Sequence, residues 1–351
     1  MNQIENSVTK ILTHFNESDV AFGVMRNYEY LPNIGHDLDL AVFSCDILKI
    51  QDFLIQVAKQ ESWDLVAKLS YRKSSVKSRH IDVYRFYNLK KLECLHIDFI
   101  HGMTSHGFEI LSEQDLMRFL KKNGWFTTIS SENENLIRFL QLGTLYKGKK
   151  TKKIKKYLNK LQMLSKEDLV ALKNKLNDKL GGNSEEGLES LIKEEMDNAV
   201  KIIYRSKLKI LGKTFLLNPL SSIKNFLIRL YEIFYQTFIN NAGLKIYVEI
   251  RGDIELHKKI EKVAKDLTKG TIFNDSLIEK KPSNHLSYRQ LKFRKEYGLL
   301  IQYGHKNLIF PNIFYDLVIS YDELNQLNDY ELSRLIVDRM LKQQNVLFKS
   351  M

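Results

Sequence analysis

Proline is scarce in this chain, at 4 of 351 residues, and glycine reaches only 16. That argues against a linker-rich or low-complexity architecture and predicts long regular elements joined by short connections. There are only two cysteines, Cys45 and Cys94, far apart in sequence and without metal-ligand spacing. A disulfide framework or zinc module is thereby excluded, and both thiols are expected to be small core residues of a reduced, cytoplasmic protein. The polar start, Met1 to Asn6, lacks a basic stretch leading into an apolar one, so export is not expected. The longest apolar stretch, Ile223 to Ile239, is interrupted by Lys224, Arg229 and Glu232. It falls short of the ~20 apolar residues that span a bilayer, so a buried helix is expected there and no membrane span. No internal repeat is visible.

Hydrophobic residues make up 44% and charged residues 27% of the sequence, enough to build packed cores and too ordinary for a disordered chain. At this length two or three domains are expected. The net charge of +12, from 54 Lys+Arg against 42 Asp+Glu, favours an anionic partner such as nucleotide, nucleic acid or phosphorylated glycan without choosing among them. Part of the excess is local: eight lysines fall between Lys147 and Lys160, which reads as a solvated helical face.

Periodicity predicts a helix over Ile4 to Phe15, a strand at Val20 to Met25, a turn-rich loop, a strand from Asp37 to Phe43 and a helix over Ile47 to Ala58. Three strands are expected next, at Trp63 to Tyr71, His80 to Tyr87 and Cys94 to Ile100. From Gln114 the period is helical, with helices near Glu132 to Tyr146, Lys152 to Leu164, Lys166 to Leu176 and Leu188 to Tyr204. A break is expected at Gly181 to Ser184. A last mixed segment carries a strand at Leu244 to Ile250, a turn at Arg251 to Asp253, a helix to about Leu267, a strand at Leu317 to Ser320 and a closing helix from Asp329 to Leu341. The expected class is α+β: a mixed sheet with flanking helices over residues 1–130, a helical region over 131–242 and a small α/β module over 243–351.

The chemistry concentrates in the first of these. In a strand, residues two apart share a face, so Asp37 and Asp39 point together while Leu38 and Leu40 point away. Neighbouring carboxylates repel unless a proton or cation separates them, and a hard divalent ion with oxygen ligands is the usual solution. Gly35, just before this strand, would let a phosphate chain approach the backbone. Asp98 lies in the apolar segment Leu95 to Ile100, where a lone carboxylate is costly to bury. Asp82 competes with it for the third position. Lys73, Lys77 and Arg79, between two expected strands, are candidates to clamp a triphosphate.

The stretch from Arg26 to Val42, with Asn27, Gly35 and the Asp37-Leu38-Asp39 pattern, resembles a bacterial branch of the nucleotidyltransferase superfamily. The resemblance implies a helix-flanked mixed sheet, with Asp37 and Asp39 as ligands of Mg2+ or Mn2+ and Asp98 as the third carboxylate, a ligand or the base for the acceptor hydroxyl. It implies transfer of a nucleoside monophosphate from an NTP to a hydroxyl or phosphate, with a sugar phosphate or surface-polysaccharide precursor as acceptor. Where most members carry a Gly-Ser or Gly-Gly pair, this sequence reads Val24-Met25-Arg26-Asn27. Arg26 is the candidate substitute for the phosphate contact, and a nucleotide-binding or scaffold protein without turnover is the alternative. An RNA-directed transferase is a third reading, carried by the basic balance.

The segment Gly243 to Asp253 is similar in layout to the first strand and turn of a thymidylate-kinase-like domain. It lacks the Gly-Lys-Ser or Gly-Lys-Thr that cradles phosphates, so a degenerate module serving structure or partner binding is expected. Gly212-Lys213-Thr214 is a decoy, because Lys207 stands where such a loop needs glycine.

Overall fold

The structure is a computed structural model that describes residues 2–26, 28–34, 37–69, 81–105, 108–147, 151–181, 184–217, 219–220, 223–224, 226–227, 230, 243–270, 272–273, 275–279, 298–304 and 315–343. It is a mixed α and β protein with a seven-stranded mixed sheet, flanking helices and a second, parallel four-stranded sheet.

Helix α1, Gln3–Glu17, starts at a capping box in which the Asn2 side chain accepts from the Glu5 amide and Glu5 answers to the Asn2 amide. Strands β1, Phe22–Val24, and β2, Asp37–Val42, follow, then helix α2, Ile47–Gln60. Strands β3, Leu65–Leu69, β4, Ile81–Asn88, and β5, Glu93–Ile100, extend the sheet. A small hairpin of β6, Met103–Ser105, and β7, Phe108–Leu111, leads to the short helix α3, Glu113–Met117. The chain does not continue as helix from Gln114. It returns to the main sheet through β8, Lys121–Asn123, and β9, Phe126–Thr128, a hairpin turning at Gly124-Trp125 with Gly124 at φ 60. Gly124, the first of the two turn residues between the paired Asn123 and Phe126, supplies the positive φ such a turn needs, and it was the available sequence signal. The strand order is β3-β4-β5-β2-β1-β9-β8, with β2 and β5 parallel at the centre.

Helices α4, Ser131–Lys147, α5, Thr151–Gln162, α6, Lys166–Leu180, α7, Ser184–Ile192, and α8, Met196–Leu217, form the helical region. The single helix expected over Leu188 to Tyr204 is two. Glu194 at φ 63 occupies the left-handed position and the Glu195 amide reaches back to the Ser190 carbonyl, a C-terminal cap normally built on glycine. With glutamate there, no local signal marked the break. The final module contains β10, Leu244–Glu249, α9, Ile254–Lys269, β11, Asp275–Glu279, β12, Gly298–Gly304, β13, Leu317–Ile319, α10, Tyr321–Gln326, and α11, Asp329–Gln343. Its sheet runs β11-β12-β10-β13, parallel throughout.

The two faces of the large sheet are covered differently. Leu38, Leu40, Val42, Ile97 and Phe99 point into a core closed by Val8, Ile11, Phe15, Ile50 and Leu54 of α1 and α2. On the other face, Ala41 packs into the core of the helical region, and Val83, Tyr87 and Cys94 pack into the core of the C-terminal sheet. Between those two cores lies the middle of β2 and β5, with Asp37, Asp39, His96 and Asp98.

Cys94 is buried, which pushes its thiol up to about 11. Cys45 is exposed in the turn before α2, not the core residue expected. Of the buried helix predicted over Ile223 to Ile239, the described residues Ile223, Phe226, Leu227 and Leu230 are exposed, and 231–239 lie outside the described residues.

One glycine fixes how the C-terminal module docks. Gly270 ends α9 and its carbonyl accepts from the Cys94 amide at 3.1 Å, while a Cβ built on it would lie 1.7 Å from the Leu92 carbonyl oxygen. Gly270→Ala is therefore expected to force the module off the β4–β5 turn and cost about 1–3 kcal/mol, read as a lower Tm. An unchanged Tm would show that this close approach does not hold the module in place.

Candidate active site

The register of the parallel pair builds the site. Asp37 stands opposite His96 and Asp39 opposite Asp98, and paired residues on neighbouring strands share a face. The three carboxylates each offer an oxygen, all lying within 4.8 Å of one another. Asp39 is buried, whereas Asp37 and Asp98 are partly open.

Burial pushes the Asp39 carboxyl upward, opposed by the charge and hydrogen bond of Arg26 and reinforced by Asp37 and Asp98. One oxygen, Oδ2, accepts from Arg26 Nε, whereas Oδ1 is buried with no hydrogen-bond partner. A buried carboxylate oxygen without a donor is costly, and it faces two further carboxylates. An all-oxygen, three-carboxylate donor set fits a hard divalent cation such as Mg2+ or Mn2+.

Arg26, two residues beyond β1, is held by three partners from distant elements. Besides Asp39, its Nη1 donates to Gln141 Oε1 of α4 at 3.0 Å and to the Tyr157 hydroxyl of α5 at 3.1 Å. Burial disfavours its charge, but the Asp39 carboxylate outweighs that cost and holds the guanidinium protonated. The following turn is fastened to the same helices: the Tyr28 hydroxyl donates to Glu134 Oε2 at 3.0 Å, and Lys160 pairs with Glu29. Burial, with Glu134 beside it, raises Tyr28 to about 12.

His96 was not foreseen, although it sits two residues before Asp98 on the same strand face. Its Nε2 lies 2.9 Å from Asp98 Oδ1, within contact range but out of line for a hydrogen bond. Gln141 and Tyr157 carried no local signal, because only folding brings α4 and α5 to Arg26. Arg85, opposite His96 and almost fully buried, donates to the Ile272 carbonyl at 3.5 Å and links this face to the C-terminal module.

Asp82 does not join the cluster. It pairs across β4 and β5 with Phe99 and so points to the opposite face, where Oδ1 meets Lys68 Nζ at 3.0 Å and Oδ2 meets His101 Nε2 at 3.1 Å. Burial alone would raise it, but hydrogen bonds and charge from His101 and Lys68 hold it below the usual carboxylate range. Asn27, Gly35, Lys73, Lys77 and Arg79 lie outside the described residues.

The turn after β10 is filled from within. Arg251 donates to Glu249 at 2.9 Å and stacks on the Tyr321 ring, and Asp253 caps the first amides of α9. The start of that helix, a ready anion site when open, already has an anionic cap.

Compared with family models and with curated proteins, the sequence matches none.

Proposed function

We propose that this protein transfers a nucleoside monophosphate from an NTP to a hydroxyl or phosphate acceptor, with Asp37, Asp39 and Asp98 holding Mg2+ or Mn2+. The observation that carries the reading is the convergence of three carboxylates around the donorless Asp39 Oδ1. When bound, such an ion neutralises the triphosphate and favours departure of pyrophosphate. Asp98, partly open and with the imidazole of His96 beside it, is assigned the proton of the attacking hydroxyl. Arg26, kept cationic and braced by Gln141 and Tyr157, is assigned an anionic phosphate oxygen in place of the missing Gly-Ser pair. A sugar phosphate or polysaccharide precursor remains the proposed acceptor, resting on the family resemblance alone. The C-terminal module is assigned a packing or partner-binding role without phosphate transfer of its own.

A second reading has one observation in its favour: Arg26 already neutralises Asp39, as it would in a nucleotide-binding protein without turnover. Calorimetric titration with each NTP, with Mg2+ and with excess chelator, tests both. Affinity is expected to rise at least about tenfold with the metal, because paired carboxylates repel a triphosphate until a cation screens them. Equal affinity in chelator removes the metal assignment. Metal-dependent binding without pyrophosphate release, across NTPs and acceptors, selects the second reading.

A further inference from the structure

Beyond the acidic site, the least expected feature is the segment that follows the packed part of α8. Thr214 aside, every described residue from 212 to 230 is exposed, including Leu216 at 82%, Leu220 at 83% and Leu227 at 57%. Gly212, at the start of this segment, has open space where a Cβ would stand. Large apolar side chains scattered singly on a surface need no explanation, but a contiguous series of them marks a contact surface.

Two patterns in the sequence say what kind. Leu216, Leu220, Ile223, Leu227 and Leu230 recur at intervals of four and three, while Asn218, Ser222, Asn225 and Arg229 recur at the same spacing out of phase with them. That is the pattern of a helix with one apolar and one polar side. The charge is of one sign: between Asp197 and Glu232 there are seven cations, of which Lys213, Lys224 and Arg229 fall within the segment, and no carboxylate.

We infer that this segment docks on the surface of an anionic phospholipid bilayer, its leucine, isoleucine and phenylalanine side chains entering the acyl boundary and its lysines and arginines meeting the headgroups. Apolar burial and electrostatic attraction are the two terms that hold an interfacial helix in place, and both are built into this stretch. A second copy of the chain is a poorer occupant, because two uninterrupted cationic segments would be brought side by side. The contact is peripheral: among the described residues no helix is long and apolar enough to cross a membrane. The inference does not depend on the chemistry of the acidic cluster.

The test is co-sedimentation of the full chain with vesicles of phosphatidylcholine alone and of phosphatidylcholine mixed equally with phosphatidylglycerol. Partitioning onto the anionic vesicles is expected to exceed that onto neutral ones by at least about tenfold and to weaken with added salt. Leu220→Glu combined with Leu227→Glu should lower it at least about tenfold with an unchanged Tm, since both side chains are already exposed. Lys213→Gln with Lys224→Gln should lower binding to the anionic vesicles selectively, which keeps a reading should the glutamate pair disturb the fold. Equal retention on both vesicle types, or undiminished binding by both double variants, overturns the inference. So does sedimentation velocity showing a dimer that the glutamate pair converts to monomer, which would make a second copy the occupant.

Discussion

Asp98→Asn is expected to lower nucleotidyl transfer about a hundredfold to a thousandfold, measured as pyrophosphate release with sugar phosphates or polysaccharide precursors as acceptors. Asparagine keeps the shape of the side chain and removes one carboxylate of the three that meet within 4.8 Å. Asp37 and Asp39 remain on β2, so NTP affinity in Mg2+ should fall by less than about tenfold. The variant should be no less stable than the parent, because it relieves repulsion in a cluster whose central member is already pushed towards its neutral form. Unchanged transfer would exclude Asp98 from the chemistry. A large fall in Tm would mean that the loss of rate came through the fold.

Asp82→Ala is expected to do the reverse: to cost about 3–5 kcal/mol of stability while leaving NTP affinity intact. Lys68 and His101 are almost entirely buried, and Asp82 is the carboxylate they meet at 3.0 and 3.1 Å. Removing it leaves a cation in the interior without its counter-charge. The same group gives a pH signature. Its folded pKa is depressed, so its contribution is fully present above the ordinary carboxylate value, about 4, and is lost as pH falls through the lower folded value. Chemical denaturation from neutral pH into that acid range should therefore show a steeper loss in the parent than in Asp82→Ala. Parallel curves would show that the buried network does not stabilise the fold.

Together the two variants separate two aspartates that compete in the sequence for one role, for which more apolar flanks and the family resemblance favour Asp98. Asp82 and Asp98 both sit in apolar strand segments, and neither composition nor spacing says which face each takes relative to Asp39. Pairing register decides it: Asp98 is opposite Asp39, whereas Asp82 is opposite Phe99. A shift of one residue in the β2–β5 ladder would exchange their faces relative to Asp39, and one in the β4–β5 ladder would put both on the same face.

Much of the fold was legible because it is written in local periods. The stripe Val8, Ile11, Leu12 and Phe15, the alternation from Asp37 to Val42 and the buried set Ile50, Leu54 and Val57 each specify an element and its inner face. What escaped was set by partners distant in sequence. The local hairpin of β8 and β9 joins the main sheet only because β9 meets β1 at Val24, and the break at Glu194 exists because α7 and α8 pack against each other. The apolar stretch from Ile223 looked like a core helix by composition, which measures how hydrophobic a segment is and not whether anything covers it.

By itself, then, the sequence determined that Asp37 and Asp39 would share a face and require a cation or a proton between them, since alternation along one strand is a local property of the backbone. Only the tertiary structure decided what completes that pair. The parallel register of β2 and β5 brings Asp98, and the packing of α4 and α5 brings Gln141 and Tyr157 to Arg26 from more than a hundred residues away. Coulomb repulsion between the aspartates becomes large only when they stand a few ångströms apart, so residue types that are unremarkable along the chain acquire their chemistry when folding makes them neighbours.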